Sequence, residues 1–331
     1  MKKDTKVAVF GGGSWATAIV KMLCEKLETV GWYMRNESAI KYIKQHRHNP
    51  KYLTSVEFKT EQLLLSSDID ELISYADIII FAIPSAFLNV ELSKIKASIT
   101  NKIVFSAVKG IVPETGLIVG EHLNEKHNVP FDCIGVITGP CHAEEVAMER
   151  LSYLTIACQD KEKAKALADC LSSDYIFCKT SDDIIGTEYA AMLKNIYAIA
   201  AGIAHGIGYG DNFQAVLMSN AIREMKRYIK KIHKMKRNIN NSAYLGDLLV
   251  TGYSTFSRNR MFGNMIGKGY TVKSAMMEMK MVAEGYYAVK SAYENNQINE
   301  AKTPIIDAVY SVVYEGKSPK KQFKILSEKL D

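Results

Sequence analysis

Short runs of apolar, mostly β-branched residues alternate with amphipathic stretches through about residue 180. The runs predict strands at Lys6–Phe10, Thr29–Met34, Asp77–Ile83, Lys102–Ser106, Ile134–Thr138, Tyr153–Cys158 and Tyr175–Cys178. Stretches between several of them have helical spacing, at Ser14–Leu27, Ile69–Tyr75, Ser85–Ala97 and Lys161–Leu171. This alternation predicts an α/β domain built on a parallel, doubly wound sheet.

Beyond Ser181 the strand-like runs nearly vanish and long amphipathic stretches replace them. These stretches predict helices at Ile184–Ile203, Phe213–Ile232, Thr271–Asn296 and Pro304–Val313. The change predicts two domains, an α/β domain at 1–181 and an all-helical domain at 182–331, with the substrate in a cleft between them.

Composition narrows the class of protein. The 331 residues are 47% hydrophobic and 24% charged, and the absence of any uncharged apolar run of roughly eighteen residues argues against membrane insertion. The net charge of +6 weakly favours an anionic ligand. We interpret the basic cluster Lys226–Arg237 as the solvent side of an amphipathic helix, with Ile229, Ile232 and Met235 facing inward. Nucleic acid is therefore not an expected partner.

The cysteines and histidines predict neither a disulfide scaffold nor a metal site. The six cysteines include no CxxC pair, and the close pair His46 and His48 falls in a predicted loop. The apolar stretch before Gly11 is about four residues long, too short for a secretory signal. Reduced thiols and a cytoplasmic location are expected.

The first predicted strand runs directly into a glycine-rich turn and then a helix. The turn, Gly11–Ala16, fits the pattern GxGxxA. Gly11 permits the tight turn, Gly13 lets the backbone approach a pyrophosphate, and Ala16 lets helix and strand pack closely. The helix N-terminus adds free N–H groups for phosphates. The motif predicts a Rossmann-type dinucleotide-binding domain.

The end of the second predicted strand bears on the choice of dinucleotide. An acid for the ribose hydroxyls is usual there in NAD-selective domains, but this chain has Arg35 and no acid before Glu37. A guanidinium can pair with a 2′-phosphate and stack on adenine, which favours acceptance of NADPH. An exposed surface arginine is the alternative, and the motif leaves NAD and NADP open.

Further polar segments lie beside glycine or helical sequence, at Ser106–Gly110, Gly139–Glu145, Glu188–Asn195, Gly246–Thr251 and Ser257–Arg260. The first two follow predicted strands, where open α/β sheets bind ligands. Lys194 lies in an apolar helical run and has two interpretations. It is a solvated charge, or it is an acid–base group whose pKa is lowered by burial and by a second lysine such as Lys109.

Taken together, these segments resemble the NAD(P)-dependent glycerol-3-phosphate dehydrogenase family, most closely its bacterial cytoplasmic type. The resemblance covers nearly the whole chain and rests on FGGGSWATA, NPKYL, ADIIIFAIPS, VKG, GPCHAEEVA, EYAAMLKNIYAIAAGIAHGIGYGDN, LGDLLVT, SRNRMFG and VAEGYYAV. It implies NADPH or NADH as hydride donor and dihydroxyacetone phosphate or sn-glycerol 3-phosphate as substrate. It also implies a homodimer and a place in glycerophospholipid synthesis.

The glycine motif and the resemblance together give a set of predicted site residues. The cofactor-binding set is Gly11, Gly13, Ser14, Trp15, Arg35, Lys109, Ala143, Arg258 and Glu284. The substrate-binding set is Lys109, Gly139, Cys141, Lys194, Asn195, Asp247, Thr251, Ser257, Arg258 and Asn259. The expected catalytic group is Lys194 as proton donor, Lys109 as stabiliser of negative charge on oxygen, and Asp247 as the residue that orients Lys194.

The chain departs from the family pattern at two places. Cys141 and His142 replace a serine and an aromatic residue, so a hydroxyl hydrogen bond from position 141 is not available. Residues 240–245 replace a glycine-rich stretch before Gly246.

Two other functions stay open on the sequence. One is a reductase of a hydroxy or sugar acid, which the phosphate-binding segment SRNRMFG disfavours. The other is a non-catalytic NADPH-binding regulator, which the retention of Lys109, Lys194 and Asp247 disfavours.

Overall fold

The computed structural model describes residues 5–279 and 283–331. The chain forms two compact units, Met1–Val108 with Leu117–Ile184, and Lys109–Gly116 with Ile185–Asp331. The predicted first domain, 1–181, includes residues 109–116, whereas in the structure this short segment groups with the helical unit. Its grouping places Lys109 in the same unit as Lys194.

The first unit is an α/β sandwich. The strands of the described chain are β1 Val7–Phe10, β2 Val30–Tyr33, β3 Leu63–Ser66, β4 Ile78–Phe81, β5 Ile103–Ser106, β6 Ile111–Val112, β7 Leu117–Ile118, β8 Ile134–Thr138, β9 Ser152–Cys158 and β10 Ile176–Ser181, of which β6 lies in the second unit. The helices of the first unit are α1 Ser14–Cys24, α2 Glu37–His46, α3 Ile69–Tyr75, α4 Ser85–Leu92, α5 Val119–His127, α6 Ala143–Ala147 and α7 Lys161–Leu171.

The main sheet has the strand order β10-β9-β8-β5-β4-β1-β2-β3. The six strands from β3 to β8 are parallel, in the order of a doubly wound dinucleotide-binding sheet. This confirms the predicted fold class. The prediction of an entirely parallel sheet is corrected at one edge, because β9 runs antiparallel to β8, and β10 is parallel to β9. Every residue of β1 and β4 is buried, because helices cover both faces of a parallel sheet.

The strand register brings several chain segments to one edge of the sheet. Phe10 at the end of β1 is level with Tyr33 at the end of β2 and with Phe81 at the end of β4. The glycine turn, Arg35 and the start of α4 therefore follow neighbouring strand ends. Ligands of open α/β sheets bind at this carboxyl edge.

The second unit is helical, as predicted. Its helices are α8 Ile184–Gly206, α9 Asp211–Ile232, α10 Asp247–Tyr253, α11 Arg258–Gly267, α12 Val272–Glu278, α13 Glu284–Asn299, α14 Pro304–Val313 and α15 Pro319–Ser327. The single helix predicted over Thr271–Asn296 is instead α12 and α13, and residues 280–282 of that prediction lie outside the described residues. Nowhere in the described chain is a helix both long and apolar enough to span a membrane.

The predicted helix end at Ile232 is confirmed, whereas the interpretation of the whole cluster Lys226–Arg237 as the solvent side of one helix was wrong. Helix α9 ends at Ile232, and His233 has extended backbone angles. Ile229 is buried as expected, but Met235 lies beyond the helix and is only half-buried. The run of basic residues is thus divided between a helix end and a loop.

Helix α8 is the centre of the helical unit, because its residues from Tyr189 to Ala204 are buried on all sides. Helix α11 packs against it through glycines. A Cβ at Gly263 would overlap the carbonyl oxygen of Ile199, and one at Gly202 would overlap the carbonyl oxygen of Arg260. Such a close approach of two helix backbones requires residues without side chains.

Replacing Gly263 by Ala is expected to lower the free energy of unfolding of the helical unit by about 1–3 kcal/mol, because the added methyl group separates α8 and α11. Thermal unfolding followed by calorimetry measures the loss. Gly210→Ala is the matched control, since its Cβ would meet open space at an ordinary φ of −85°. Equal effects of the two substitutions would contradict the close-packing argument.

Candidate active site

The glycine turn of the first unit has the geometry that the motif predicts. Gly11 has a φ of +139°, and a Cβ there would overlap the carbonyl oxygen of Ala82. The Gly11 amide donates to the carbonyl of Tyr33 at 3.1 Å, and the buried Trp32 indole donates to the Gly11 carbonyl at 2.7 Å. The turn is therefore pinned to the ends of β2 and β4.

The N-terminus of α1 suits an anionic ligand. Gly13 is the N-cap residue, with no side-chain cap bond and no acid in the first turn. A Cβ at Gly13 would meet nothing within 4 Å, so the backbone is open on that side. Ser14 and Trp15 begin the helix, whose first N–H groups carry positive potential. These features fit the pyrophosphate of a dinucleotide.

Asn49 ties the glycine turn to helix α1 by hydrogen bonds, a role that no motif in the sequence predicted. Its Nδ2 donates to the Gly12 carbonyl at 3.2 Å and to Thr17 Oγ1 at 2.9 Å. Its Oδ1 accepts from the backbone of Lys51 and Tyr52 at 3.0 and 3.1 Å. The available signal was the Asn-Pro pair, which is typical of a turn whose asparagine bonds to backbone.

Arg35 lies just beyond β2 with a side chain that is 69% exposed. Its guanidinium lies 5.9 Å from the ring centre of Phe87, which is 43% exposed on the first turn of α4. Its Nη1 is 4.0 Å from a carboxylate oxygen of the buried Glu91. The sequence predicted Arg35 as a site residue but gave no signal for Phe87 and Glu91, which reach it from helix α4.

Gly139, Cys141 and Ala143 follow β8 at the same edge of the sheet. Gly139 has a φ of +119°, and its Cβ would come within 2.7 Å of the Tyr153 carbonyl oxygen. Cys141 and Ala143 are buried in the same apolar core that Trp15 contacts. Helix α6 packs against α1, so the structure brings this segment next to the helix that begins at Ser14. Substrate contact by Gly139 and Cys141 stays a prediction.

The second unit contains a buried ion pair. Lys194 on α8 contacts Asp247 at the start of α10 through its ammonium group, and the two residues are 3% and 1% exposed. Of the two interpretations of Lys194, burial excludes the solvated surface charge. A charge so far from water is tolerated only with a partner and hydrogen bonds.

The surroundings of Lys194 set its proton affinity. Burial lowers the pKa of Lys194 and the nearby Lys109 ammonium lowers it as well, while Asp247 raises it. The net result is a pKa of about 8, below the ordinary value of 10.5. A lysine with such a pKa exchanges its proton near neutral pH. This is the behaviour expected of an acid–base catalyst.

Asp247 comes directly after the segment that departs from the family pattern, residues 240–245, and Gly246. Residues Ser242–Gly246 form one π-helical turn that leads directly into α10. The Asp247 amide already donates to carbonyl groups of this turn, so Asp247 lies inside a continuous helical segment that begins at Ser242. One turn later, Thr251 Oγ1 donates to the Asp247 carbonyl at 2.6 Å.

Asn195 connects the centre of the site to Lys109. Its Nδ2 donates to the Lys109 carbonyl at 2.8 Å, which fixes the backbone of the segment that follows β5. A Cβ at Gly285 would lie 2.6 Å from the Asn195 carbonyl oxygen, so the start of α13 packs closely there. Glu284 is the first residue of α13.

The first turn of α11 carries Ser257, Arg258 and Asn259. Ser257 caps the helix by accepting from the Arg260 amide at 3.3 Å. Asn259 Oδ1 accepts from the Gly285 amide at 2.9 Å, so the group that Asn259 can offer a ligand is its NH2. A helix N-terminus with an arginine and an amide donor is suited to phosphate.

Within each unit, the structure thus brings the predicted residues together. The contacts above join six predicted residues of the second unit, Lys109, Lys194, Asn195, Asp247, Thr251 and Asn259. Ser257 and Arg258 lie in the same helical turn as Asn259, and Glu284 precedes Gly285, which contacts both asparagines. In the part of the chain that the structure describes, no group of three or more His, Cys, Asp and Glu side chains is arranged to hold a metal ion. The roles of the individual residues stay predictions.

Both halves of the chain match models of known protein families. The family model described as the NAD-dependent glycerol-3-phosphate dehydrogenase N-terminus matches residues 6–164, and the corresponding C-terminus model matches residues 183–324. The glycerol-3-phosphate dehydrogenase (NAD(P)+) of Staphylococcus haemolyticus is 36% identical over 327 residues, covering 97% of each chain. That of Staphylococcus aureus strain USA300 / TCH1516 is also 36% identical and covers 98% of each.

Among solved structures, the chain is similar to a glycerol-3-phosphate dehydrogenase from Coxiella burnetii. The TM-score is 0.90 at 26% identity, and the similarity covers 98% of this chain and 99% of the other.

The pKa of Lys194 is expected to move in opposite directions when its two charged neighbours are removed. Asp247→Asn removes the stabilising anion and lowers the pKa, whereas Lys109→Met removes a like charge and raises it. NMR titration of ¹³C-labelled lysine side chains measures both shifts. Lys268→Met, at an exposed position on the same unit, should leave the pKa unchanged; a shift as large as that of Lys109→Met would exclude a specific effect of Lys109.

Proposed function

Because the chain belongs to the NAD-dependent glycerol-3-phosphate dehydrogenase family, we propose that it transfers a hydride reversibly between NAD(P)H and dihydroxyacetone phosphate, giving sn-glycerol 3-phosphate. The observation that carries the proposal is the buried Lys194 ammonium, which is held by Asp247 beside Lys109. A dinucleotide-binding regulator would need the glycine turn but no buried proton donor.

Reduction of this ketone needs a hydride, a proton and a grip on the phosphate. When bound, the reduced nicotinamide supplies the hydride to the carbonyl carbon. Lys194 Nζ donates a proton to the carbonyl oxygen, which becomes the new hydroxyl group. A pKa of about 8 keeps Lys194 protonated at neutral pH and still lets it release the proton.

Lys109 and Asp247 have different electrostatic roles in this proton transfer. The Lys109 ammonium stabilises negative charge that develops on the substrate oxygen. Asp247 orients Lys194 and keeps its charged form from being too costly to bury. In the oxidative direction the neutral Lys194 amine takes the proton from the hydroxyl of glycerol 3-phosphate.

The first turn of α11 supplies the grip on the phosphate in this proposal. Arg258 presents a planar fork of N–H donors, which matches phosphate geometry, and the NH2 of Asn259 adds a neutral donor. Ser257 holds the turn in shape as its N-cap. The same groups disfavour a hydroxy acid or sugar acid without a phosphate as the substrate.

The glycine turn and Arg35 supply the cofactor site. Gly11, Gly13, Ser14 and Trp15 frame the pyrophosphate, and the exposed Arg35 guanidinium is suited to the 2′-phosphate of NADPH. Acceptance of both NADPH and NADH is consistent with the names of the staphylococcal relatives.

We further propose a homodimer that works in the cytoplasm and supplies glycerol 3-phosphate for glycerophospholipid synthesis. The support is the resemblance to the bacterial cytoplasmic type and the chemistry of the product, which is the backbone of glycerophospholipids. Sedimentation of the purified protein tests the dimer.

Replacing Lys194 by Ala should lower kcat for reduction of dihydroxyacetone phosphate by about 10²–10⁴-fold, the usual contribution of a general acid. The loss of near-ultraviolet absorbance of NADPH or NADH measures turnover. Binding of NADPH, followed by its fluorescence, should stay unchanged because Lys194 is not part of the glycine turn. Near-normal turnover of the folded variant would remove Lys194 from the mechanism, and inactivity of the wild-type chain with both dinucleotides would favour a regulator.

The two directions of the reaction should depend on pH in opposite ways. Reduction needs protonated Lys194, so its rate should fall as the pH rises through about 8, whereas oxidation needs the neutral amine and should become faster over the same range. Initial rates in both directions across pH 6 to 10, roughly centred on the Lys194 pKa, check the sign. Parallel profiles in the two directions would contradict the assignment.

A further inference from the structure

Glu91, which belongs to no motif in the sequence, lies next to two cationic side chains, Arg35 and Lys94, near the carboxyl edge of the sheet. It lies on α4, is 3% exposed, and accepts from the Tyr33 hydroxyl through Oε2 at 2.8 Å. Its other oxygen, Oε1, contacts Lys94 Nζ at 2.8 Å and lies 4.0 Å from Arg35 Nη1. Because both nitrogens meet one oxygen atom, the two cationic heads lie within the reach of a single phosphate group.

The burial and charge of this cluster distinguish the roles of its members. The Glu91 side chain is 4% exposed and is occupied by protein contacts, while the side chains of Arg35 and Lys94 are 69% and 46% exposed. Within this cluster, two cations face one carboxylate. Arg35 and Lys94 each keep further N–H donors for a ligand, since a guanidinium has five and an ammonium three.

The position of the cluster indicates which anion it would meet. Arg35 follows β2, and the adenosine ribose of a dinucleotide binds at the end of that strand in this type of sheet. Phe87, beside Arg35, presents an exposed ring of the kind on which a base can stack. A monoester phosphate on the ribose 2′ oxygen would carry close to two negative charges at neutral pH and would match the pair of cations.

We propose that Lys94 is a second ligand of the ribose 2′-phosphate, next to Arg35, and that its contact with Glu91 holds the ammonium at the spacing one phosphate requires. The chemical class recognised is an adenosine 2′-phosphate. The inference rests on the proposed function only in taking the glycine turn as a dinucleotide site. It makes Lys94 a specificity-determining residue for NADPH over NADH.

The test compares two nucleotides that differ only in the 2′-phosphate, adenosine 2′,5′-bisphosphate and adenosine 5′-monophosphate, by titration calorimetry on the whole protein. Lys94→Gln should bind the bisphosphate about tenfold more weakly than the wild type, the loss of roughly one charge-assisted contact. Its affinity for the monophosphate should change by less than about twofold. Lys94→Arg should restore most of the bisphosphate affinity.

Lys96→Gln is the matched control, because Lys96 is an exposed lysine two residues away and its substitution changes the net charge equally. Equal losses in Lys94→Gln and Lys96→Gln would overturn the proposal, since they would show only a general effect of charge. A wild-type protein that binds both nucleotides equally would overturn it as well.

Turnover separates this inference from the proposed function. A wild-type chain that reduces dihydroxyacetone phosphate but binds the bisphosphate independently of Lys94 keeps the function and loses the inference. A chain without turnover whose bisphosphate affinity depends on Lys94 loses the function and keeps the inference.

Discussion

The buried contact between Lys194 and Asp247 is the constraint on which the rest of the helical unit depends. An ammonium group at the centre of the most buried helix is tolerated only with a fixed counter-ion, and removal of one partner of such a pair costs about 3–5 kcal/mol. The π-helical turn before α10 brings Asp247 to that place. Burial favours the neutral amine of Lys194 and Asp247 favours its ammonium form. The balance lowers the pKa of Lys194 to about 8, so its proton becomes exchangeable near neutral pH.

The two units use the same combination of charges with different burial. Each has one buried carboxylate and two cations, Asp247 with Lys194 and Lys109, and Glu91 with Arg35 and Lys94. The first unit leaves the heads of its two cations, Arg35 and Lys94, in contact with solvent. The second unit buries one lysine completely, which lowers its pKa to about 8 and makes it suited to move a proton.

Helix N-termini provide the other recurring device. Helix α1 begins after Gly13, where the backbone is open and no side chain caps the first turn. Helix α11 begins after Ser257, which caps one amide, while Arg258 and Asn259 add side-chain donors. In both cases the free N–H groups at the helix N-terminus favour the binding of a phosphate group. The proposed reaction, between a dinucleotide and a phosphorylated ketone, needs one such site for each.

The sequence by itself determined the fold class, the limits of several elements and the identity of the polar segments. Helices α3, α7 and α14 begin and end where their apolar spacing predicted, because one buried face fixes that spacing. The antiparallel direction of β9 and the division of Thr271–Asn296 into two helices were decided by tertiary packing.

Tertiary structure alone also decided the burial of Lys194 and the meeting of Glu91 with Arg35 and Lys94. These contacts join helices and strands that are distant in the chain, and the local pattern of residues does not record which side chains meet in space.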